Sequence, residues 1–154
     1  MKPAAFALAF LIAASASAAE PVRVIDGDGF ELAGEKIRLW GIDAPELRQE
    51  CSKDGVRYAC GRIARDNLEL LTTGREIVCE AQGRPDRYGR TVASCTADGE
   101  DVAGWMVRHG WALDWPRYSG GAYAADQDGA EANKRGLWAG FFAVPWEWRN
   151  GPKP

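Results

Sequence analysis

Short runs with a two-residue period dominate the first third of the chain. Val22-Arg23-Val24-Ile25 is rich in β-branched residues, and Phe30-Glu31-Leu32 alternates apolar and polar positions. In Ile37-Arg38-Leu39-Trp40-Gly41-Ile42, Ile37 and Leu39 share one side and Arg38 takes the other, until Trp40 blurs the alternation. Successive side chains of a strand point to opposite faces, so this spacing predicts three strands. Asp26-Gly27-Asp28-Gly29 and Ala33-Gly34-Glu35 separate them, and residues of these types turn the chain. A three-stranded meander with short connections follows.

The period then changes. Ile63, Ala64, Asn67, Leu68 and Leu71 recur at helical spacing, which predicts a helix over residues 59–71, with Gly74 past its end. Residues 76–79 and 91–95 read as two further strands, joined by a loop that holds Asp86-Arg87-Tyr88-Gly89-Arg90. A second helix is predicted over residues 100–109, where Val102, Trp105, Met106 and His109 form one face and Gly110 ends it. His109 reads there as a cap or dipole partner rather than a catalyst. A third helix is predicted over residues 121–135, ended by Gly136 and weakened by Gly129, at about 1 kcal/mol relative to alanine. The tail from Leu137 to Arg149 is aromatic and reads as irregular. Five short strands with interspersed helices predict an α+β, mainly β fold: a small closed barrel with helices packed on it.

The first residues stand apart from this pattern. Met1-Lys2-Pro3 precede an apolar run from Ala4 to Ala14 and then small residues up to Ala19. A positive start, a short apolar core and an Ala16-Ser17-Ala18 or Ser17-Ala18-Ala19 end predict a secretory signal peptide over residues 1–19, cleaved near Ala19 or Glu20. The run is too short to span a bilayer comfortably, and no second one follows. Residues 20–154 are then a single domain by size, expected in the periplasm or outside the cell.

Export changes how the four cysteines, Cys51, Cys60, Cys79 and Cys95, are read. An even count in an exported chain predicts two disulfides, with three pairings open. Cys51–Cys60 and Cys79–Cys95 are preferred because each closes one local loop, and each would contribute about 2–4 kcal/mol. Zinc ligation is disfavoured: no pair has the short spacing that zinc sites use, and His109 is the sole histidine. The net charge of −3, more negative still without Lys2, argues against a protein that coats nucleic acid by bulk positive charge.

Asp26, Asp28, Asp43 and Glu46 nevertheless crowd a short stretch on turns and strand ends, and Arg38 leaves the strand that leads into Asp43. Converging carboxylates repel unless a cation sits among them, and hard oxygen donors without histidine favour Ca²⁺ or Mg²⁺. A metal and arginines would offset charge on phosphoryl oxygens, and a spare carboxylate would accept a proton from water. Arginine's planar, permanently charged fork suits phosphate. Taken singly, each of these residues is more often structural, since Asp-Gly-Asp-Gly is a common turn and Asp-Ala-Pro-Glu a plausible helix entry.

Three stretches taken together say more. Ile25-Asp26-Gly27-Asp28, then Ile37-Arg38-Leu39-Trp40-Gly41-Ile42-Asp43-Ala44-Pro45-Glu46, then Asp86-Arg87-Tyr88-Gly89-Arg90 resemble, in order and separation, the signature motifs of the staphylococcal-nuclease (thermonuclease) family. The resemblance continues through Gly110-Trp111-Ala112, the Tyr118 region and Lys134-Arg135-Gly136-Leu137-Trp138. It implies a five-stranded OB-fold barrel with three helices and a Ca²⁺-dependent hydrolysis of DNA and RNA, with single-stranded or locally open substrate preferred. It implies Asp28, Asp43 and the backbone carbonyl of Ala44 as metal ligands, the carbonyl surviving a change from the threonine that some members carry there. Glu46 matches the proposed general base, Arg38 and Arg90 the arginines that stabilise the transition state, and Tyr88 and Tyr118 the nucleotide pocket; Arg87 could touch a flanking phosphate. Gly29 departs from the usual Asp-Gly-Asp-Thr and is expected to weaken metal affinity or rate. Of the seven tryptophans only Trp115 is a candidate for substrate contact. Nothing argues for an oligomer, so a monomer is expected.

Two other functions compete. A catalytically silent OB-fold nucleic-acid-binding module would be expected to have lost the Glu46-like or arginine positions, which this chain keeps. A glycosidase using Asp28 and Glu46 leaves the two arginines unexplained.

Overall fold

A computed structural model describes residues 21–151 of the chain. The expected signal peptide and its cleavage point lie outside the described residues. Val22–Asp26 (β1), Gly29–Leu32 (β2) and Glu35–Leu39 (β3) form the antiparallel meander, with Val24 opposite Phe30 and Phe30 opposite Ile37. The third strand stops at Leu39 rather than running to Ile42, because Gly41 turns the backbone with φ +76°. Ile42–Asp43 (β4) is a separate short strand, and Cys51–Lys53 (β5) and Val56–Tyr58 (β6) form a hairpin that the pattern did not predict.

Cys60–Thr72 (α1) follows, then Ile77–Ala81 (β7), Thr91–Ala97 (β8) and Glu100–Asp101 (β9). Val102–Arg108 (α2) starts two residues later than expected: Glu100 and Asp101 pair with β8, and the Asp101 side chain caps the helix by accepting from the Ala103 N–H at 3.0 Å. His109 does stand at its C-cap, its ring stacked on Trp105. Leu113–Asp114 (β10) pairs with β4. The expected 121–135 helix is shorter, because Gly120 and Gly121 both turn with positive φ; Pro116–Ser119 (α3) precedes it and Ala124–Ala132 (α4) is what remains. The aromatic tail is not irregular. It makes a 3₁₀ turn at Gly136–Ala139 and a last helix, Pro145–Asn150 (α5), started by a proline at its first turn. The described residues therefore hold five α-helices where three were expected.

The main sheet runs β1-β2-β3-β8-β7, with β3 and β8 parallel and β9 added to β8. The fold is OB-fold-like, α+β and mainly β. Phe30 and Leu39 from the sheet meet Leu68 of α1 and Met106 of α2 in the main core, all four almost fully enclosed. Burying each such side chain contributes about 1.5–3 kcal/mol. A second cluster gathers Cys51, Cys60, Leu113 and Leu137, covered by Phe142, Val144 and Trp146 of the tail. Both preferred disulfides form: Cys51 with Cys60, and Cys79 with Cys95, which are register partners on β7 and β8. No helix among the described residues is long and apolar enough to cross a membrane.

Candidate active site

The turn between β1 and β2 opens the site. Gly27 is required there, since a Cβ would lie 2.6 Å from the Ala44 Cβ and 2.9 Å from the Ala64 Cβ, closer than packing allows. That approach brings Asp28 against residue 44, and its Oδ2 accepts from the Ala44 N–H at 2.7 Å. Arg38, largely buried on β3, anchors one nitrogen on the Leu39 carbonyl at 2.7 Å. Its Nη2 lies 3.2 Å from Asp28 Oδ2 and 3.0 Å from Asp43 Oδ1, so one guanidinium bridges both expected metal ligands.

Glu46 sits on the loop after β4, and three contacts pin that loop. Gln49, fully buried, accepts from the Glu46 N–H through Oε1 at 3.2 Å and donates from Nε2 to the Ala143 carbonyl at 2.6 Å. The Gly61 N–H reaches the Gln49 carbonyl at 3.2 Å. A Cβ on Gly61 would fall 1.8 Å from the Glu46 carbonyl oxygen, so the start of α1 presses directly on the backbone of Glu46.

Arg90 is placed by Asp86 across the β7–β8 loop. Asp86 Oδ1 accepts from the N–H groups of Tyr88 at 2.9 Å and Arg90 at 3.0 Å, and Oδ2 accepts from Arg90 Nε at 2.8 Å. Burial raises the Asp86 carboxyl, but these bonds outweigh it and hold the group below its ordinary range.

The fold thus brings Arg38, Glu46 and Arg90 to the wall of one cavity of about 790 Å³, with Asp28, Arg87, Tyr88 and Tyr118 also lining it. Asp43 and Ala44 lie behind this wall, nearly fully enclosed. Tyr88 and Tyr118 are exposed at the mouth, and Trp115 meets Tyr118 edge-on at 4.5 Å. All the residues singled out for chemistry in the sequence are therefore in or directly behind one site.

Sequence reasoning missed three members, among them Arg117 of α3, which lines the cavity with its guanidinium over the Tyr118 ring. Gln49 carries no motif. Arg149 of α5 donates from Nη1 to Asp43 Oδ1 at 3.0 Å and to Glu46 Oε1 at 2.6 Å, and from Nη2 to Asp43 Oδ2 at 2.7 Å. The available signal was Pro145, which opens a helix and puts Arg149 in its last turn.

In the inner part of the site four carboxylates, Asp26, Asp28, Asp43 and Glu46, face two arginines, Arg38 and Arg149. Burial first, then the neighbouring Asp28 charge, pushes the Asp26 carboxyl up to about 7. Burial likewise pushes Asp43 up to about 6, with Asp28 adding to it and Arg149 and Arg38 opposing. Carboxylate oxygens of Asp28 and Asp43 are of the kind that a hard cation such as calcium takes, but Asp28 Oδ2 and both Asp43 oxygens are held here by Arg38 and Arg149, contacts that a bound cation would have to displace. Among the described residues no three or more histidine, cysteine or carboxylate side chains are disposed to hold a metal ion, so such a cation would complete its shell with backbone oxygen and water. At Gly29, a Cβ would lie 2.9 Å from Asp26 Oδ1; the threonine usual at this position would have to displace that carboxylate.

Comparison with known proteins gives the family. The family model described as staphylococcal nuclease homologue matches residues 36–140. The chain is 42% identical over 137 residues to the succinoglycan biosynthesis protein ExoI of Rhizobium meliloti (strain 1021), covering 84% of this chain and 71% of that protein. It is 36% identical over 136 residues to an uncharacterized endonuclease of Escherichia coli O157:H7, covering 84% and 82%. With the probable staphylococcal-like nuclease CAN1 of Oryza sativa subsp. japonica it shares 32% over 131 residues, 82% of this chain and 37% of that one. An OB-fold-like domain with nuclease-named relatives defines a nuclease, a hydrolase whose substrates are nucleic acids. The chain belongs to the staphylococcal-nuclease family.

Proposed function

We propose that the protein is an exported, monomeric, calcium-dependent endonuclease that hydrolyses DNA and RNA, preferring single-stranded or locally open stretches. The observation that carries this reading is the joint presence of Glu46, Arg38 and Arg90 on one cavity, with Asp28 beside them. Glu46 accepts a proton from the attacking water. Arg38 and Arg90 offer their forks to the phosphoryl oxygens as charge builds there. A calcium ion held by the Asp28 and Asp43 carboxylates and the Ala44 carbonyl would add positive charge at the same oxygens. Tyr88 and Tyr118, exposed at the mouth, offer faces on which unpaired bases of any identity stack, and Arg87 reaches a flanking phosphate. Two disulfides support an oxidising compartment, periplasmic or extracellular.

The test is cleavage of fluorescent single-stranded DNA in Ca²⁺, in excess chelator, and by Glu46→Gln. Activity in calcium should vanish with chelator, and kcat should fall about 10²–10⁴-fold in the variant. A variant that keeps its turnover would remove Glu46 from the role of base. DNA binding without cleavage under any divalent ion would favour a silent OB-type binder.

A further inference from the structure

Residues 141–151 lie beyond the stretch that the family model matches, yet they return to the active site. Arg149 meets Asp43 fork to fork, at 3.0 and 2.7 Å, and the same Nη1 holds Glu46 Oε1 at 2.6 Å. One planar group thus ties the expected base to the expected metal ligand. The arm behind it is braced. Trp146, three residues earlier, stacks on Trp115 with centroids 5.7 Å apart and planes 8° from parallel, and the Arg149 guanidinium lies 5.4 Å over the same Trp115 ring. The main chain is fixed too, because the Gln49 side chain that accepts from the Glu46 N–H also donates to the Ala143 carbonyl. Base loop and arm are joined through backbone and side chain alike.

We propose that Arg149 is a positioning residue for hydrolysis, supplied by the C-terminal arm. A glutamate on a loop has rotatable torsions that must be frozen for proton transfer. Arg149 holds Oε1 and leaves Oε2, which has no donor among the described residues, to meet water. In the step, a water O–H bond breaks and its proton goes to Glu46 Oε2. The water oxygen bonds phosphorus, and the ester P–O bond breaks with its electron pair on the leaving oxygen. A lysine ammonium cannot reproduce the fork.

This inference rests on the nuclease reading, and cleavage by the parent protein in the same assay tests that reading separately. Arg149→Ala and Arg149→Lys in the full mature chain are compared with parent on single-stranded DNA in calcium. Both should lose kcat by at least about tenfold while KM stays within about threefold, because the fault is alignment and not binding. Guanidinium ion added at non-denaturing concentration should restore part of the Arg149→Ala turnover, which a merely structural loss would not allow. Calorimetric titration of calcium without DNA should give an affinity in the variants equal to or tighter than the parent's, since Arg149 also holds both Asp43 oxygens, so the lost turnover is not lost metal. Arg149→Lys keeps the charge and the stem, and so keeps the test open if the alanine variant folds poorly. Unchanged or raised kcat would overturn the proposal; with tighter calcium binding, it would make Arg149 a cation that competes for Asp43. A rise in KM alone would overturn it too, leaving Arg149 a substrate contact.

Discussion

Asp26 and Asp43 are the side chains whose proton affinity the fold alters most toward neutrality. Burial, the largest cause, raises both carboxyls, to about 7 and about 6, from an ordinary 3.8. Between those values the folded chain binds more protons than the unfolded chain, so stability falls as pH rises through that window and is recovered as pH falls. In chelator, the melting temperature should therefore climb by a few degrees from about pH 7.5 to about pH 5, at about 2–4 °C per kcal/mol for a chain of this size. Calcium bound at Asp28 and Asp43 as proposed would compete with the Asp43 proton, so saturating calcium should flatten the trend. Differential scanning calorimetry across that range checks it; a chelated protein that loses stability on acidification from pH 7.5 would show that these carboxylates stay ionised. The site residues themselves were legible because they are local. Asp26 and Asp28 share one turn, Asp43 and Glu46 follow one strand, and Asp86 lies four residues from the Arg90 it holds. Arg149 was not legible: it reaches its carboxylates across 103 and 106 residues of chain, a distance at which no periodicity speaks.

Among elements, the two disulfides have different work. Cys79–Cys95 joins β7 to β8 at paired positions in the sheet. Cys51–Cys60 ties β5 to the first residue of α1, and α1 presses on Glu46 through Gly61 while Gln49 lies between them. Replacing either pair by alanine should cost stability on the order of 2–4 kcal/mol. Only the Cys51/Cys60 pair should also lower kcat, by several-fold, because the base loop then loses its stop. Equal turnover in both double variants, measured well below their melting temperatures, would separate that disulfide from the base. The strands and α1 could be read from period alone, since each buries one regular face. The β5–β6 hairpin could not, because its residues are mostly exposed and its order comes from the disulfide and from the Ser52–Phe141 bridge. Helix ends slipped where competing local chemistry prevailed: pairing with β8 at Glu100 and Asp101, and positive-φ glycines at 120 and 121. The tail looked aperiodic because its tryptophans serve two surfaces at once, packing beside the second core and stacking beside the cavity.

The whole molecule carries −3 and yet has to hold a polyanion. The cavity resolves this by concentrating arginines at one opening: Arg87, Arg90 and Arg117 share a wall with Arg38, while carboxylates of the inner site offset the total. Affinity should then come from a few phosphates gripped at the mouth and from bases stacked on exposed tyrosines, and not from a field spread over the surface. Salt dependence distinguishes these. Each phosphate neutralised on a single strand gives a log–log slope of about −0.7, so two or three at the mouth predict about −1.5 to −2. Glu46→Gln protein in fixed calcium, titrated against fluorescent single-stranded DNA by anisotropy from 50 to 200 mM NaCl, reads that slope directly. A slope steeper than about −4 would require the strand to run well past the cavity, over basic surface beyond it. A shallow slope that steepens no further on longer strands would confine recognition to the opening where Glu46, Arg38 and Arg90 meet.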